Sequence, residues 1–343
     1  MKALVLKDYK RFAYEDVPTP TPAADEVLVA VKACGICGSD VHGMDGSTGR
    51  RCPPIVMGHE ASGVIESIGK GVTNWAPGDR VTFDSTIYCG QCDYCRRGEI
   101  NLCDNRRVLG VSCEDYRQHG AFADYVTVPQ RVLYRAPDRL PFEHAALVEP
   151  FSIALHAVRR SPPDLNDSVV VVGAGMIGLA LVQTLSETGC GALMAVDVAE
   201  DRLKLADECG ATYTINSSNQ DARERILSLT HGRGADRVYE AVGLPATVDL
   251  ALRCLRKGGA ATLVGNVSPK VEFPLQVAVT RELTIYGSCA SRGEYAICLE
   301  MLASGALRPG QLISASAPLA EGAAWFERLY HKEPGLLKVV LKP

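Results

Sequence analysis

The sequence has no long apolar run. No stretch of its 343 residues approaches the ~20 consecutive apolar residues that cross a bilayer, so a membrane-spanning helix is not expected. The opening Met1-Lys2-Ala3-Leu4-Val5-Leu6-Lys7 has neither the apolar core nor the small-residue cleavage site of a secretory signal, which argues against export. Charge of either sign is weak: 36 Lys and Arg stand against 40 Asp and Glu, a formal net charge of −4. No basic and aromatic stripe relieves that balance, so a nucleic-acid partner is not expected. Internal repeats and low-complexity tracts are also missing, which leaves neither a solenoid nor a disordered chain. What is present is an ordinary globular mixture, 47% hydrophobic and 22% charged. The 32 glycines exceed the average share of about 7% and predict many tight turns or close backbone approaches. At roughly 150 residues per domain, the length suggests about two domains.

Thirteen cysteines are an odd number, and six of them (34, 37, 89, 92, 95 and 103) fall in two local clusters. In a chain this long without an export signal, clustering points to metal binding in a reducing, cytoplasmic setting rather than to disulfides.

The first ~150 residues read as β-rich. Glu26–Lys32 and Gly63–Ile68 are short β-branched runs between turn residues, and Pro77-Gly78 precedes another strand at Val81. Long helical periodicity is scarce there. After Glu149-Pro150 the pattern changes. Ser168–Val172 is a continuous apolar strand, as a parallel sheet buried on both faces requires. Strands are predicted at Ala192–Val196, Thr212–Ile215, Arg237–Val242, Ala260–Val264 and Leu283–Tyr286. Helices are predicted at Met176–Glu187, Ala199–Glu208, Asp221–Thr230 and Ala246–Leu255. Alternating β and α predicts a doubly wound parallel sheet. The alternation ends near residue 290, and Gly335–Lys342 reads as a last strand.

Gly173-Ala174-Gly175-Met176-Ile177-Gly178 follows the valine strand and opens a helix. That is the context a G-x-G-x-x-G dinucleotide loop needs. Gly173 allows the tight turn, Gly175 lets backbone approach a pyrophosphate at the helix N-terminus, and Gly178 allows close helix–strand packing. Asp197 ends the next strand, 19 residues after Gly178. A carboxylate there accepts from ribose hydroxyls and repels a 2′-phosphate, which favours NAD over NADP. The alternative role for Asp197 is a helix N-cap. Arg202, one turn on, reads either as an adenine-side contact or as a surface residue.

Cys89-x2-Cys92-x2-Cys95-x7-Cys103 puts four thiols at short loop spacing. Four thiolates close a tetrahedral zinc site with no open position, so its role is structural. A redox relay is the non-metal alternative. A second set is dispersed: Cys37 in Cys34-Gly35-Ile36-Cys37-Gly38-Ser39-Asp40-Val41-His42, the pair His59-Glu60, and Glu149. Spacing alone does not unite these groups, and Cys34/Cys37 also fits a thioredoxin-like pair. Mixed S, N and O ligands would leave room for water or substrate, as catalytic zinc does.

Taken together, Cys37–His42, Gly58-His59-Glu60-Ala61-Ser62-Gly63, Gly78-Asp79-Arg80-Val81, the Cys89–Cys103 lobe, Glu149-Pro150, and Gly173–Gly178 with Asp197 resemble the zinc-dependent medium-chain alcohol and polyol dehydrogenases, sorbitol (L-iditol) dehydrogenases among them, over essentially the whole chain. The resemblance implies an α/β protein. A GroES-like β-rich catalytic domain would take residues 1–152 and 290–343, and a Rossmann domain 153–289, with NAD and zinc in the cleft at their junction. It implies Cys37, His59, Glu60 and Glu149 around a catalytic zinc, the two glutamates directly or through water, and Cys34 as a buried thiol. Glu149 stands where ethanol-type members carry Cys and polyol, threonine and butanediol members carry Glu.

The resemblance further implies that Ser39 takes the proton of a zinc-bound alcohol. The relay would pass through the nicotinamide ribose to His42 while hydride moves to the ring. Val242-Gly243, Val264-Gly265-Asn266 and Ser288-Cys289-Ala290 would contact the nicotinamide end. Sorbitol-type members carry an Arg-Tyr pair where this chain has Ala290 and Ser291, with Arg292 displaced, and an aromatic residue where it has Gly43-Met44-Asp45. A cyclic polyol, a sugar or a modified alditol is therefore as good a candidate as sorbitol. Threonine- or butanediol-type oxidation is the alternative activity, and a non-catalytic zinc- and nucleotide-binding protein is the alternative class. A homotetramer is implied, with a dimer as the other arrangement and the strand at Leu283–Tyr286 free for sheet extension.

Overall fold

Four successive valines, Val169–Val172, are all buried, which a strand achieves only when both faces of its sheet are covered. In the computed structural model, which describes residues 1–113 and 116–343, this strand lies inside a six-stranded sheet. Its order is Tyr213–Asn216, Leu193–Asp197, Val169–Val172, Ala235–Glu240, Leu255–Leu263, Thr284–Gly287, and every neighbouring pair is parallel. The order reverses beside Val169–Val172, which makes a doubly wound Rossmann sheet with its switch point there. The helices Met176–Ser186, Glu200–Glu208, Ala222–Leu229 and Pro245–Cys254 connect successive strands. Hydrophobic side chains from strands and helices, among them Val170, Met194, Ile215, Ile226, Val238 and Leu252, pack into one core.

Elements shift by a few residues from their expected places. The fifth strand begins at Leu255 rather than Ala260, because the chain pairs on through Gly258 and Gly259 with a register shift opposite Ala235–Arg237. The last strand is Thr284–Gly287, one residue later than expected, and it lies at the sheet edge.

The chain divides into two compact units. One comprises Met1–Glu149, Tyr295–Gly305 and Ile313–Pro343; the other comprises Pro150–Glu294 and Ala306–Leu312. The short stretch Ala306–Leu312 thus goes with the Rossmann sheet and not with the C-terminal segment. The Gln183 side chain fixes it there, donating to the Arg308 carbonyl at 3.3 Å and accepting from the Arg308 N–H at 2.7 Å.

The first unit is the β-rich one. Its main sheet runs Leu133–Arg135, Arg80–Phe83, Glu60–Ile68, Glu26–Gly35, Lys338–Lys342, Ile313–Pro318, and Tyr125–Pro129 also pairs with Glu26–Gly35. A hairpin of Lys2–Asp8 and Arg11–Asp16, with Ile55–Val56 beside it, packs its apolar side into the same core, where Phe122 meets the Phe326 ring edge-on at 5.7 Å. The C-terminal strand is buried in the middle of this sheet, so both chain ends build one GroES-like unit. The helices Phe142–Ala146, Tyr295–Ser304 and Gly322–Tyr330 belong to this unit, and Val148–Arg160 begins in it. The last of these is an apolar and polar mixture whose sorting onto faces becomes visible only once it packs. Among the described residues, no helix is long and apolar enough to cross a membrane.

Candidate functional site

Two clusters of metal-ligating side chains form in the first unit. Cys89, Cys92, Cys95 and Cys103 each offer a sulfur, and these atoms all lie within 4.8 Å of one another. The Cys89 and Cys95 sulfurs are 4.0 Å apart. Tetrahedral Zn–S bonds of about 2.3 Å place sulfurs roughly 3.8 Å apart, so four thiolates fit zinc with little adjustment. Backbone N–H groups of Gln91 and Cys92 pull the Cys89 thiol down to about 6 and those of Cys95 and Asp104 lower Cys92, while desolvation raises Cys95 and Cys103, which a metal would have to bring down. The lobe has few elements of its own beyond the turn Asp93–Arg96 and the short helix Ile100–Leu102, so a metal would be its main cross-link.

The second cluster gathers Cys37, His59 and Glu60, again with one ligand atom each inside 4.8 Å. Cys37 caps the short helix Gly38–Gly43, and Glu60 opens the strand Glu60–Ile68 after the left-handed Gly58. A Cβ at Gly58 would press on the Cys34 sulfur at 2.8 Å and the Phe122 ring at 2.9 Å, so only glycine lets the chain turn into His59 there. Cys34 is thus a buried filler beneath that turn. Gly35 is glycine for a related reason: a Cβ would sit 2.3 Å from Glu60 Oε2. One thiol, one imidazole and one carboxylate match the mixed donor set of a zinc site with an open position.

Glu149 lies outside that set of three but near it. Burial pushes its carboxyl well above the usual range; His59 opposes this, and the Glu60 and Cys37 charges add to it. A cation among these groups would reverse that balance. Desolvation, aided by Glu60, likewise holds the Cys37 thiol up at about 12.

Sequence reasoning missed Lys338. It is buried on the central C-terminal strand, and its ammonium donates to both Glu60 oxygens, at 2.8 and 2.7 Å, and to the Ile36 carbonyl at 2.9 Å. Burial alone would lower its pKa; the Glu60 carboxylate outweighs that and leaves it raised. Nothing local in Leu337-Lys338-Val339 signals this, because the partner lies 278 residues away in sequence. Asp40 and Arg51 were missed too. Both are buried and ion-paired at 2.7 Å, and Asp40 Oδ2 lies 3.5 Å from His59 Nδ1. The Ser39 hydroxyl is exposed and donates to the Cys37 sulfur at 3.3 Å; His42 is exposed on the same short helix.

In the second unit the glycine loop does three different jobs. Gly173 has φ +95°, and a Cβ there would meet Val242 at 2.3 Å. Gly178 would collide with the Gly173 carbonyl oxygen at 1.7 Å. Gly175 faces open space, the kind of cradle into which a phosphate fits. Met176 and Ile177 begin the helix Met176–Ser186. Asp197 holds this loop to the next helix: its carboxylate accepts from Ala174 N–H at 2.6 Å, Val198 N–H at 2.8 Å and Ala199 N–H at 3.0 Å. The cap of the helix Glu200–Glu208 is Ala199, which has no side-chain cap bond, so Asp197 is not the N-cap; its three bonds leave one of about four lone-pair sites open to a ribose hydroxyl. Arg202 lies on the helix Glu200–Glu208.

Val242-Gly243 and Val264-Gly265-Asn266 pack against each other so closely that a Cβ on Gly265 would lie 2.2 Å from Val242 backbone atoms. Glu240, also missed, organises both: its carboxylate accepts from Val242 and Gly243 N–H at 2.8–3.0 Å, and its carbonyl from Val264 and Gly265. Ser288, Cys289 and Ala290 follow the edge strand, with Ala290 at φ +53°.

Residues 23–138 match the alcohol dehydrogenase GroES-like domain family, and residues 177–304 match the zinc-binding dehydrogenase family. Sorbitol dehydrogenase of Bacillus subtilis strain 168 is 35% identical, over 100% of this chain and 97% of its own length. The chain belongs to the zinc-dependent medium-chain alcohol and polyol dehydrogenases. D-arabitol-phosphate dehydrogenase of Enterococcus avium is 33% identical, over 97% of this chain and 94% of its own. A zinc-binding dehydrogenase from Sinorhizobium meliloti 1021, crystallised bound to NADP, superposes with a TM-score of 0.91 at 32% identity, covering 100% of this chain and 99% of that one. This dehydrogenase is accordingly an oxidoreductase of CH–OH donors.

Proposed function

We propose that the dehydrogenase oxidises a secondary alcohol of a polyol or sugar-like substrate with NAD, using one catalytic and one structural zinc per chain. The observation that carries this reading is the convergence of Cys37, His59 and Glu60 within 4.8 Å, with Glu149 buried beside them. Glutamate rather than cysteine at 149 supports the polyol branch, in keeping with the sorbitol and arabitol-phosphate relatives.

When bound, zinc would supply Lewis-acid chemistry and NAD a hydride acceptor. Cys37 and His59 would hold the metal directly, Glu60 and Glu149 directly or through water. Cys89, Cys92, Cys95 and Cys103 would hold the structural ion. Ser39 would take the alcohol proton, and exposed His42 would release it to solvent. Gly173, Gly175, Met176, Ile177 and Gly178 would bind the pyrophosphate and Asp197 the adenosine ribose, with Arg202 beside it. Val242, Val264, Gly265, Asn266, Ser288, Cys289 and Ala290 would line the nicotinamide end.

NAD is favoured over the NADP held by the Sinorhizobium meliloti structure. A 2′-phosphate would meet the Asp197 carboxylate, and the following residue is exposed Val198, not a cation. The edge strand Thr284–Gly287 leaves room for a homo-oligomer built by sheet extension, and the family resemblance favours a tetramer over a dimer, in a cytoplasmic enzyme.

The test is NADH formation by zinc-loaded protein on alditols, alditol phosphates, inositols, aldoses, threonine, butanediol and ethanol, each with NAD and NADP. Turnover of a polyol or sugar with NAD is expected. Preference for NADP would overturn the Asp197 argument, and preference for threonine or butanediol the polyol reading. Cys37→Ser should remove one of two bound zincs and abolish turnover; unchanged turnover would sink the zinc mechanism.

A further inference from the structure

Arg51 has a place in the first unit that the catalytic reading leaves unused. Its side chain is buried, and one guanidinium serves two residues of the short helix Gly38–Gly43. Nε and one terminal nitrogen donate to Asp40 Oδ1 at 3.0 and 2.7 Å, and the same terminal nitrogen donates to Ser39 Oγ at 3.2 Å. The other terminal nitrogen is spent on the Arg50 carbonyl.

Beyond each of these partners stands a group of the candidate metal centre. Asp40 Oδ2 and His59 Nδ1 are buried, neither has a hydrogen-bond partner, and they face each other across 3.5 Å. Ser39 in turn donates to the Cys37 sulfur. A third observation comes from Gly43. A Cβ at that position would lie 2.5 Å from Arg51 Cγ, so the side chain of 51 fills the space that a side chain at 43 would need. Glycine at 43 and arginine at 51 are thus one packing solution.

We propose that Arg51 is a positioning residue: through Asp40 it holds His59, and through its own N–H it fixes which way the Ser39 hydroxyl points. This rests on the zinc reading of Cys37, His59 and Glu60 and on Ser39 as the proton acceptor. The chemistry follows from donor counting. A guanidinium has donors only, so Ser39 Oγ must accept from it. One lone pair is then taken, the hydroxyl hydrogen points away from Arg51, and the second lone pair is open to an alcohol O–H. When that proton arrives on Oγ, Ser39's original hydrogen turns off the Cys37 sulfur it faces and passes by way of the nicotinamide ribose to His42, and the hydroxyl is restored. Asp40, pinned at Oδ1 by a fork of two N–H donors, keeps Oδ2 aimed at His59 Nδ1, and Nε2 is then the donor atom for a metal.

Three variants test this: Arg51→Met, Arg51→Lys and Gly43→Ala. The alanine displaces Arg51 without removing its charge and remains informative if Arg51→Met fails to fold. The first readout needs no substrate: zinc affinity of the mixed site, by competition with a chromogenic chelator. Arg51→Met and Gly43→Ala should lose 10–100-fold, the usual cost of removing the group behind a metal-bound histidine. Arg51→Lys, a point charge without the fork, should lose less.

The second readout is turnover of whichever polyol or sugar reacts fastest in the panel above, at saturating zinc. For Arg51→Lys kcat should fall tenfold or more with KM within a factor of two, and in a Ser39→Ala background the same change should have a clearly smaller effect on kcat, the remainder being the route through Asp40. Wild-type zinc affinity and kcat in Arg51→Lys and Gly43→Ala would overturn the proposal. So would an undiminished effect of Arg51→Lys in the Ser39→Ala background, which would mark the role as merely structural. If Cys37→Ser still turns over, the zinc reading itself has failed, whatever Arg51 does.

Discussion

Glu60 and Lys338 are both about 1% exposed and joined at 2.7 Å. Neither charge is tolerable there alone. Taking an ion out of water costs several kcal/mol, and only a close partner with further hydrogen bonds offsets it; Lys338 has the Ile36 carbonyl as well. In zinc-free protein, Lys338→Met should therefore lower the unfolding free energy by about 3–5 kcal/mol, because it strands a buried carboxylate. Adding Glu60→Gln to it should recover most of that loss. A denaturant titration of the single and double variants checks both points, and additive losses would mean the pair is not coupled. The same reasoning explains why Lys338 escaped the sequence reading. A lysine in an apolar strand reads as an edge or exposed position until its partner is brought beside it.

Among elements, the glycine loop and its helix are legible in the sequence because everything they need is local. The turn, the open helix N-terminus and the helix–strand contact all fall within Val169–Gly178. Gly178→Ala would force a methyl carbon to 1.7 Å from the Gly173 carbonyl oxygen, a backbone atom that cannot step aside. The helix Met176–Ser186 would have to move off the strand. NAD affinity should drop at least tenfold and the melting temperature by several degrees, as calorimetry with and without NAD would show. An unaffected Kd would mean that the loop does not carry the pyrophosphate. By contrast, the helices Val148–Arg160, Tyr295–Ser304 and Gly322–Tyr330 were not read, since each gains its orientation only by packing.

For the molecule as a whole, stability in acid depends on carboxylates that the fold keeps ionised. Glu294 is one. Burial would raise its pKa, but the hydrogen bond with His156 at 3.1 Å and the Arg292 N–H outweigh that and hold it below its ordinary value. A carboxyl lowered in the folded state contributes stability that is complete above its unfolded value, about 4.3, and is lost as pH falls through the folded one. Asp236, held down against burial by Arg256 and by the Ser168 N–H, adds in the same sense. The melting temperature should thus fall as pH drops below about 4.3, and Glu294→Gln should make that fall shallower. A parallel curve for the variant would remove Glu294 from the explanation.

The two metal clusters mark the division between what the chain spells out and what folding decides. Four cysteines between 89 and 103 mark a candidate zinc lobe in the sequence because a short loop can close on an ion without help from elsewhere. Cys37, His59 and Glu60 carried meaning only through resemblance. They meet because Gly35 pairs with Glu60 across neighbouring strands, and the C-terminal strand then sets Val340 against Gly35, which brings Lys338 in beside them. Asp40, Arg51 and Glu240 belong to the same class. Composition and local spacing determined the fold class, the dinucleotide loop and the cysteine lobe, since those depend on contacts within a few residues. The partners of the mixed site were decided by sheet register, because a buried charge acquires its role from whatever the fold places within hydrogen-bond reach of it.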